Sequence, residues 1–168
     1  FRHAAWLRKS TEPLGPPLVL GWIGSSTTVP YLQSKTHALA AVVAMGVPFR
    51  LRVVADTFPV FPPGIAVEGV PWSREAEGQA LDGIHMGIAP LPDDAWARGK
   101  CGLKVIQMMS RGRPVVASAI GVQREQVQHG VTGLLAENDA QFADSIVALA
   151  RDPEIEVVDV ACDAYVAR

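Results

Sequence analysis

Short apolar runs alternate along most of the chain with segments whose apolar residues recur three or four positions apart. The runs have the length and composition of buried strands. They lie at Leu18–Ile23, Phe49–Ala55, residues 65–70, Met86–Ala89, residues 114–117 and Gly133–Ala136. Strands joined by helical crossovers form parallel sheets covered on both faces. The pattern predicts an α/β fold, a doubly wound, Rossmann-like sheet of about six strands with helices on both faces.

Capping signals place the helices between these strands. Thr28, Ser73 and either Asn138 or Asp139 favour helix N-termini, and Gly112 favours a helix end. The helices predicted in this way are residues 28–46, a short helix from 73, residues 102–111, 122–129 and 139–151, and a last helix from 152. In such a sheet ligands bind beyond the carboxyl ends of the strands, so the loops there are the first places to search.

Chain length and composition favour one main domain. The 168 residues are 49% hydrophobic and 19% charged, which excludes a disordered chain. Residues 1–17 contain three prolines and one glycine, and we interpret them as a linker or a loose first segment. Residues 18–168 are then the ligand-binding domain. Since the chain starts with Phe1, we expect it to be cut from a longer protein or processed.

Charge and cysteine content limit the binding partners and the cellular compartment that we expect. The net charge of −2 gives no bulk attraction to nucleic acid or to an anionic membrane. Cys101 and Cys162 form neither a CxxC motif nor a zinc spacing, so we expect two reduced thiols in a cytoplasmic protein rather than a disulfide. No apolar run has the roughly 18–20 residues that span a bilayer.

The loop after the first strand is the first candidate site. Gly24, Ser25 and Ser26 are small, and their amides and hydroxyls are suited to donating to phosphate. An ordinary helix cap is an equally good interpretation. The loop is not a GxGxxG fingerprint, because Gly24 is its only glycine.

The loop after the third strand contains Pro71 and Trp72. An exposed tryptophan there would meet a nucleobase, whereas a tryptophan packed under the loop would belong to the core.

The third candidate, residues 93–103, carries the strongest phosphate signal. Arg98 and Lys100 flank Gly99, and Gly102 follows just before the apolar positions of the next helix. A diphosphate would find two cations there, together with free amides from Lys100 through Cys101 and Gly102 to Leu103. The alternative is a solvated turn. Asp94 and Cys101 stand where a Walker A motif has Gly and Ser or Thr, so that motif is absent.

Other arrangements give no catalytic or metal signal. Asp93 and Asp94 have no further ligand set, so a polar loop is the better interpretation and no metal site is predicted. The four histidines are scattered, and His85, just before a strand, is predicted to be structural.

Residues 99–118, GKCGLKVIQMMSRGRPVVAS, resemble the core motif of the group one, family-four retaining glycosyltransferases. Further matching blocks are residues 21–25, 71–72, 86–93 and 121–135, so the resemblance extends over about residues 18–149. The block from Gly99 to Glu125 is the most specific.

The resemblance implies the donor half of a GT-B enzyme, in which two Rossmann-like domains face each other across a cleft. The C-terminal domain binds a nucleotide diphosphate-sugar, and the sugar is transferred with retention, without a cofactor or an obligatory metal. The N-terminal acceptor domain is the implied partner, with residues 1–17 as a linker or stub from it, and any peripheral membrane association is expected only through it. In the site, Pro71 and Trp72 would meet the base, Gln107 the ribose, and Lys100 or Arg98 the diphosphate. Lys100 is the predicted catalytic cation.

Four positions depart from the family pattern. The family often has glutamates where this chain has Gly99 and Gln107, and it has an arginine and a lysine after the first strand where this chain has Ser25 and Ser26. The first glutamate lies near the donor sugar and the second near the ribose. Gln107 keeps a hydrogen-bonding group without the charge.

Three alternatives to a glycosyltransferase stay open. Given the missing glutamates, a non-catalytic nucleotide-binding or scaffold module would have the same fold without turnover. Asp56, after the second strand, fits the acid of a nicotinamide-dependent oxidoreductase or sugar epimerase, but the glycine fingerprint is missing. Asp56 also fits the phosphorylation site of a receiver domain, but the acidic pair that such a domain has after its first strand is missing.

Overall fold

A single parallel sheet organises the part of the chain that the structure describes. The computed structural model describes residues 16–151. The sheet order is β3-β2-β1-β4-β5-β6, and every neighbouring pair is parallel. The strands are β1 Leu18–Ile23, β2 Phe49–Ala55, β3 Ala66–Pro71, β4 Met86–Ala89, β5 Val115–Ser118 and β6 Gly133–Ala136. The predicted fold class is confirmed, with strand bounds correct to within one residue.

Helices form the crossovers between consecutive strands except between β2 and β3, which residues 56–65 join without a helix, and one more helix follows β6. The helices are α1 Val29–Gln33, α2 Thr36–Ala44, α3 Arg74–Asp82, α4 Ala95–Arg98, α5 Leu103–Met109, α6 Gln123–Gln126 and α7 Asp139–Arg151.

Three local differences from the sequence prediction concern helix extent. The helix predicted over residues 28–46 is divided into α1 and α2 at Ser34 and Lys35. The helix predicted over residues 122–129 shortens to α6. The sequence prediction missed α4, which begins after Asp94 because the Asp94 carboxylate accepts a hydrogen bond from the amide of Ala97 at 2.7 Å.

Apolar side chains fill both faces of the sheet. On one face Trp22 and Leu51 pack with Phe142 of α7. On the other, Val19 packs with Met108 of α5. Because side chains alternate along a strand, β1 contributes Leu20 and Trp22 to the first face and Val19 and Ile23 to the second. The helices are thereby fixed against the sheet, and with them the loops at its carboxyl edge.

The strand order reverses between β1 and β4, the two strands at the centre of the sheet. At such a switch point the connections leave in opposite directions and open a crevice at the carboxyl edge. The loop after β1, residues 24–28, and the loop after β4, residues 90–102, form the two sides of this crevice.

The predicted domain boundary at residues 17 and 18 agrees with the start of β1 but stays a prediction. The helix predicted from residue 152 lies outside the described residues. Within residues 16–151, no helix is long and apolar enough to cross a membrane.

Candidate functional site

A cleft of about 600 Å³ opens at the switch point. Its walls come from the loops after β1, β2, β3 and β4, and from α3, α5 and α6. The lining residues are Ile23, Gly24, Ser25, Thr28, Asp56, Trp72, Glu77, Leu91, Lys100, Cys101, Gly102, Leu103, Lys104, Gln107 and Gln123. The cleft thus brings together residues from all three loops that the sequence singles out.

Two lysines occupy one corner of the cleft. The Lys100 ammonium lies 4.9 Å from the Tyr31 ring centroid and 6.0 Å from that of Trp96. The Lys104 ammonium donates to Thr28 Oγ1 at 3.0 Å and lies 4.8 Å from the Trp22 ring centroid. Neither lysine forms an ion pair with a carboxylate of residues 16–151. This corner is therefore positively charged and open to an anion.

Burial makes Lys104 an unusual cation. Removal of solvent from its ammonium, and secondarily the positive charge of Lys100, lowers the pKa of Lys104 to about 8. A negative charge brought into the cleft would offset both effects.

The loop leading into α5 presents unpaired amides. The N–H groups of Cys101, Gly102, Leu103 and Lys104 donate to no acceptor within the described residues. Gln126 holds the loop in place by donating to the Cys101 carbonyl at 2.9 Å. Four amides beside two lysines form an arrangement that suits phosphate oxygens.

Gly102 gives this loop its shape. Its φ of 66° lies in the left-handed region, and a Cβ there would overlap the buried Gln126 side chain. Gly99 differs, because its φ is −82° and a Cβ would only come within 3.6 Å of the Trp96 carbonyl. Only Gly102 is required by the backbone conformation.

The opposite wall carries a hydrogen-bonded chain of three side chains. The Trp72 indole donates to one carboxylate oxygen of Glu77 at 2.8 Å, and the Gln107 amide donates to the other at 2.6 Å. Trp72 is 55% exposed, so it is not the core tryptophan of the alternative interpretation. The wall offers an aromatic face, a carboxylate and an amide to a ligand.

The loop after β1 uses most of its polar groups internally. Ser25 donates its amide to Thr28 Oγ1 at 3.1 Å, and Ser26 donates its amide to Asp56 at 2.6 Å and its hydroxyl to the same carboxylate at 3.1 Å. The Gly24 amide donates to the Val54 carbonyl at 3.0 Å. These three amides are therefore hydrogen-bonded within the protein, which agrees with the helix-cap interpretation.

Four residues predicted for the site do not line the cleft. Arg98 ends α4 and donates to Asp93 at 2.7 Å, which lowers the pKa of Asp93. Gly99 follows it as the cap of α4, so neither residue stands at a helix start as predicted. Pro71 pairs with Ala55 in the sheet, and Ser26 faces Asp56. Gly24, Ser25, Trp72, Lys100, Cys101, Gly102, Leu103 and Gln107 do line the cleft.

Sequence reasoning missed Lys104 and Glu77 as site residues. Lys104 was missed because it lies on α5, beyond the loop that carries Lys100, and its contact with Thr28 is not visible in local spacing. Glu77 was assigned only to the first turn of α3, but it reaches Gln107, thirty positions away.

The histidines of the described residues, His37, His85 and His129, do not line the cleft. His85 accepts from the Val19 amide at 3.0 Å beside the start of β1, which supports its structural role. His129 accepts from the Leu135 amide at 3.0 Å. Over the described range, no three side chains of His, Cys, Asp or Glu cluster to hold a metal.

Comparison with known sequences shows which family the chain matches. The family described as "Glycosyl transferases group 1" matches residues 64–152, more than half of the chain. A curated relative, D-inositol 3-phosphate glycosyltransferase from Thermobispora bispora, is 28% identical over 103 residues, covering 60% of this chain and 21% of its own.

Solved structures share the fold at low sequence identity. TarM from S. aureus aligns with a TM-score of 0.65 and 16% identity over 90% of this chain and 32% of its own. HepE from Anabaena, solved with UDP and glucose, aligns with a TM-score of 0.59 and 19% identity over 83% of this chain and 40% of its own. The chain therefore spans about a fifth to two fifths of these proteins.

Sequence and fold thus agree, and the six-stranded sheet with its switch-point cleft corresponds to the C-terminal, Rossmann-like domain of the GT-B fold. The chain belongs to the group 1 glycosyl transferases.

Proposed function

We propose that this domain binds the nucleotide diphosphate-sugar donor of a retaining glycosyltransferase. The observation that carries the proposal is the cleft itself. Among residues 16–151, its one side has two lysines without an ion pair and four amides without an acceptor, and its other side is an aromatic, hydrogen-bonding wall. A nucleoside diphosphate has the matching polarity, with an anionic end and a planar, hydrogen-bonding end.

The nucleoside fits the wall formed by Trp72, Glu77 and Gln107. The exposed indole offers a face for a base. The Glu77 carboxylate accepts from both neighbours, which fixes its orientation and leaves lone pairs for ribose hydroxyls. Glu77 thereby supplies a carboxylate next to Gln107, the position at which the family often has a glutamate.

The diphosphate fits the loop from Lys100 to Lys104. Lys100 and the amides of Cys101, Gly102 and Leu103 are placed to meet its oxygens. When the sugar leaves, negative charge grows on the phosphate that it leaves behind. A fixed cation stabilises that charge more strongly in the transition state than in the ground state.

Transfer requires a second wall for the cleft, which we assign to an N-terminal acceptor domain. On its own this chain is then expected to bind donor without transferring sugar. Retention and independence from metal ions follow from the family resemblance, and a cytoplasmic location follows from the two isolated cysteines; all three remain predictions. A non-catalytic nucleotide-binding module is the alternative, since Gly99 lacks the carboxylate that the family often has there.

Calorimetric titration of the 168-residue chain with UDP, GDP and ADP tests the proposal. We expect at least one of them to bind, and Glu77→Gln to weaken that binding about three- to tenfold. The substitution leaves an amide NH₂ facing one of the two donors, Trp72 or Gln107. Glu75→Gln, an exposed substitution on the same helix and outside the cleft, is the matched control.

Titration with pyrophosphate distinguishes the phosphate end of the site from the nucleoside end. Because Glu77 is assigned to the nucleoside end, Glu77→Gln should leave pyrophosphate binding unchanged. Absence of binding by all three nucleotides would refute the donor-site proposal. Equal nucleotide affinity of the wild type and Glu77→Gln would show that Glu77 does not contribute to nucleotide binding.

A further inference from the structure

Lys104 has no ion-pair partner among residues 16–151, and its ammonium is partly buried. It projects from α5 towards the loop after β1, where its contacts are the neutral Thr28 hydroxyl and the Trp22 ring. Trp22 is 1% exposed and Thr28 8%, so the ammonium lies against core rather than solvent.

Such a placement costs stability in the free protein. A buried ammonium is normally paired with a carboxylate. Lys35, by contrast, is paired with Asp139 at 2.6 Å. Lys104 has no ion-pair partner in residues 16–151, and Lys100 adds a second positive charge to the same cleft. An energetic cost of this kind is typical of functional sites.

We propose that Lys104 is a second phosphate-binding cation, and that the diphosphate of the nucleotide is the counter-ion it lacks. This proposal rests on the donor-binding function. Lys104 lies at the loop after β1, where the family has its arginine and lysine and this chain has serines. The cation therefore comes to that loop from α5, and a diphosphate contacts Lys100 and Lys104 together.

Protonation couples to binding through this lysine. In the free protein, burial and Lys100 hold the pKa of Lys104 at about 8. A bound phosphate favours the charged form, so the pKa rises and, above pH 8, binding takes up a proton. Affinity is then full below pH 8 and falls as the pH rises above it.

Other charged groups face the same cleft. Lys100 approaches from the loop before α5, Glu77 from α3 and Asp56 from the end of β2, and the Cys101 thiol lies beside them. These groups also influence nucleotide affinity, so a pH profile is assigned to Lys104 only by comparison with a variant that lacks it.

Lys104→Met in the 168-residue chain provides that comparison. Calorimetry with UDP, GDP and ADP should show an affinity at least about tenfold lower than wild type at pH 7. The decline above pH 8 should be absent or much smaller in the variant. The unliganded variant should also melt at a higher temperature than wild type, because it no longer buries a charge. A lysine with a purely structural role would have the opposite effect on melting.

Lys35→Met is the matched control, because it removes the same charge outside this cleft. It should leave nucleotide affinity unchanged. Wild-type affinity and pH profile in Lys104→Met would overturn the proposal while the donor site stands. Absence of nucleotide binding by the wild type would instead refute the function on which the proposal rests.

Discussion

Replacing Lys100 with alanine in the complete enzyme should lower kcat by about 10²- to 10³-fold. Its ammonium is held over Tyr31 and Trp96 at the mouth of the cleft, without an ion pair among the described residues. If it contacts the phosphate from which the sugar departs, its removal costs transition-state stabilisation that the amides alone do not replace. Steady-state release of nucleoside diphosphate from the donor sugar measures the effect.

Two comparisons make the Lys100→Ala result specific. Lys35→Ala removes a lysine outside the cleft and should retain wild-type kcat. Because Lys100 contributes to the lowered pKa of Lys104, its removal should also move the pH dependence of binding upward. Wild-type kcat in Lys100→Ala would exclude the assigned role. A wild-type protein that binds nucleotide without turnover would support the non-catalytic alternative.

Replacing Gly102 with alanine should destabilise the domain by about 2–4 kcal/mol and abolish nucleotide binding. Alanine is strained at a φ of 66°, and its Cβ would displace the Gln126 side chain that holds the Cys101 carbonyl. The loop would then lose the conformation that presents its amides. Urea denaturation and calorimetry with UDP, GDP and ADP measure the two effects.

Gly99→Ala is the matched control for that experiment. Its backbone is right-handed and a Cβ meets only ordinary contacts, so the unfolding free energy should change by less than about 0.5 kcal/mol. Similar urea midpoints for the two alanine variants would show that the geometry assigned to this loop is wrong.

The sheet was predictable from local pattern because each strand is a short apolar run between polar or turn residues. Leu18–Ile23 and Gly133–Ala136 have the predicted bounds. Helix extent was less predictable. The break at Ser34 and Lys35 interrupts a segment whose apolar spacing continues on both sides, so the periodicity does not reveal it.

The location of the site was predictable from the sequence, but the contacts between its side chains were not. Parallel strands bring their carboxyl ends to one edge, which directs attention to the correct loops. The partners of Lys104, Glu77 and Ser26 lie thirty or more positions away, at Thr28, Gln107 and Asp56. Such contacts depend on how α3, α5 and the β1 loop pack together, which no local pattern describes.

Cys101 reports directly on whether nucleotide occupies this cleft. This thiol is exposed and lies in the cleft wall between the two lysines. In a Cys162→Ser background, which leaves Cys101 as the only thiol, the rate of alkylation by iodoacetamide is measured with and without saturating UDP, GDP or ADP. We expect the nucleotide that binds to slow alkylation to a small fraction of the rate in the free protein. Binding seen by calorimetry with an unchanged alkylation rate would show that the nucleotide binds outside this cleft.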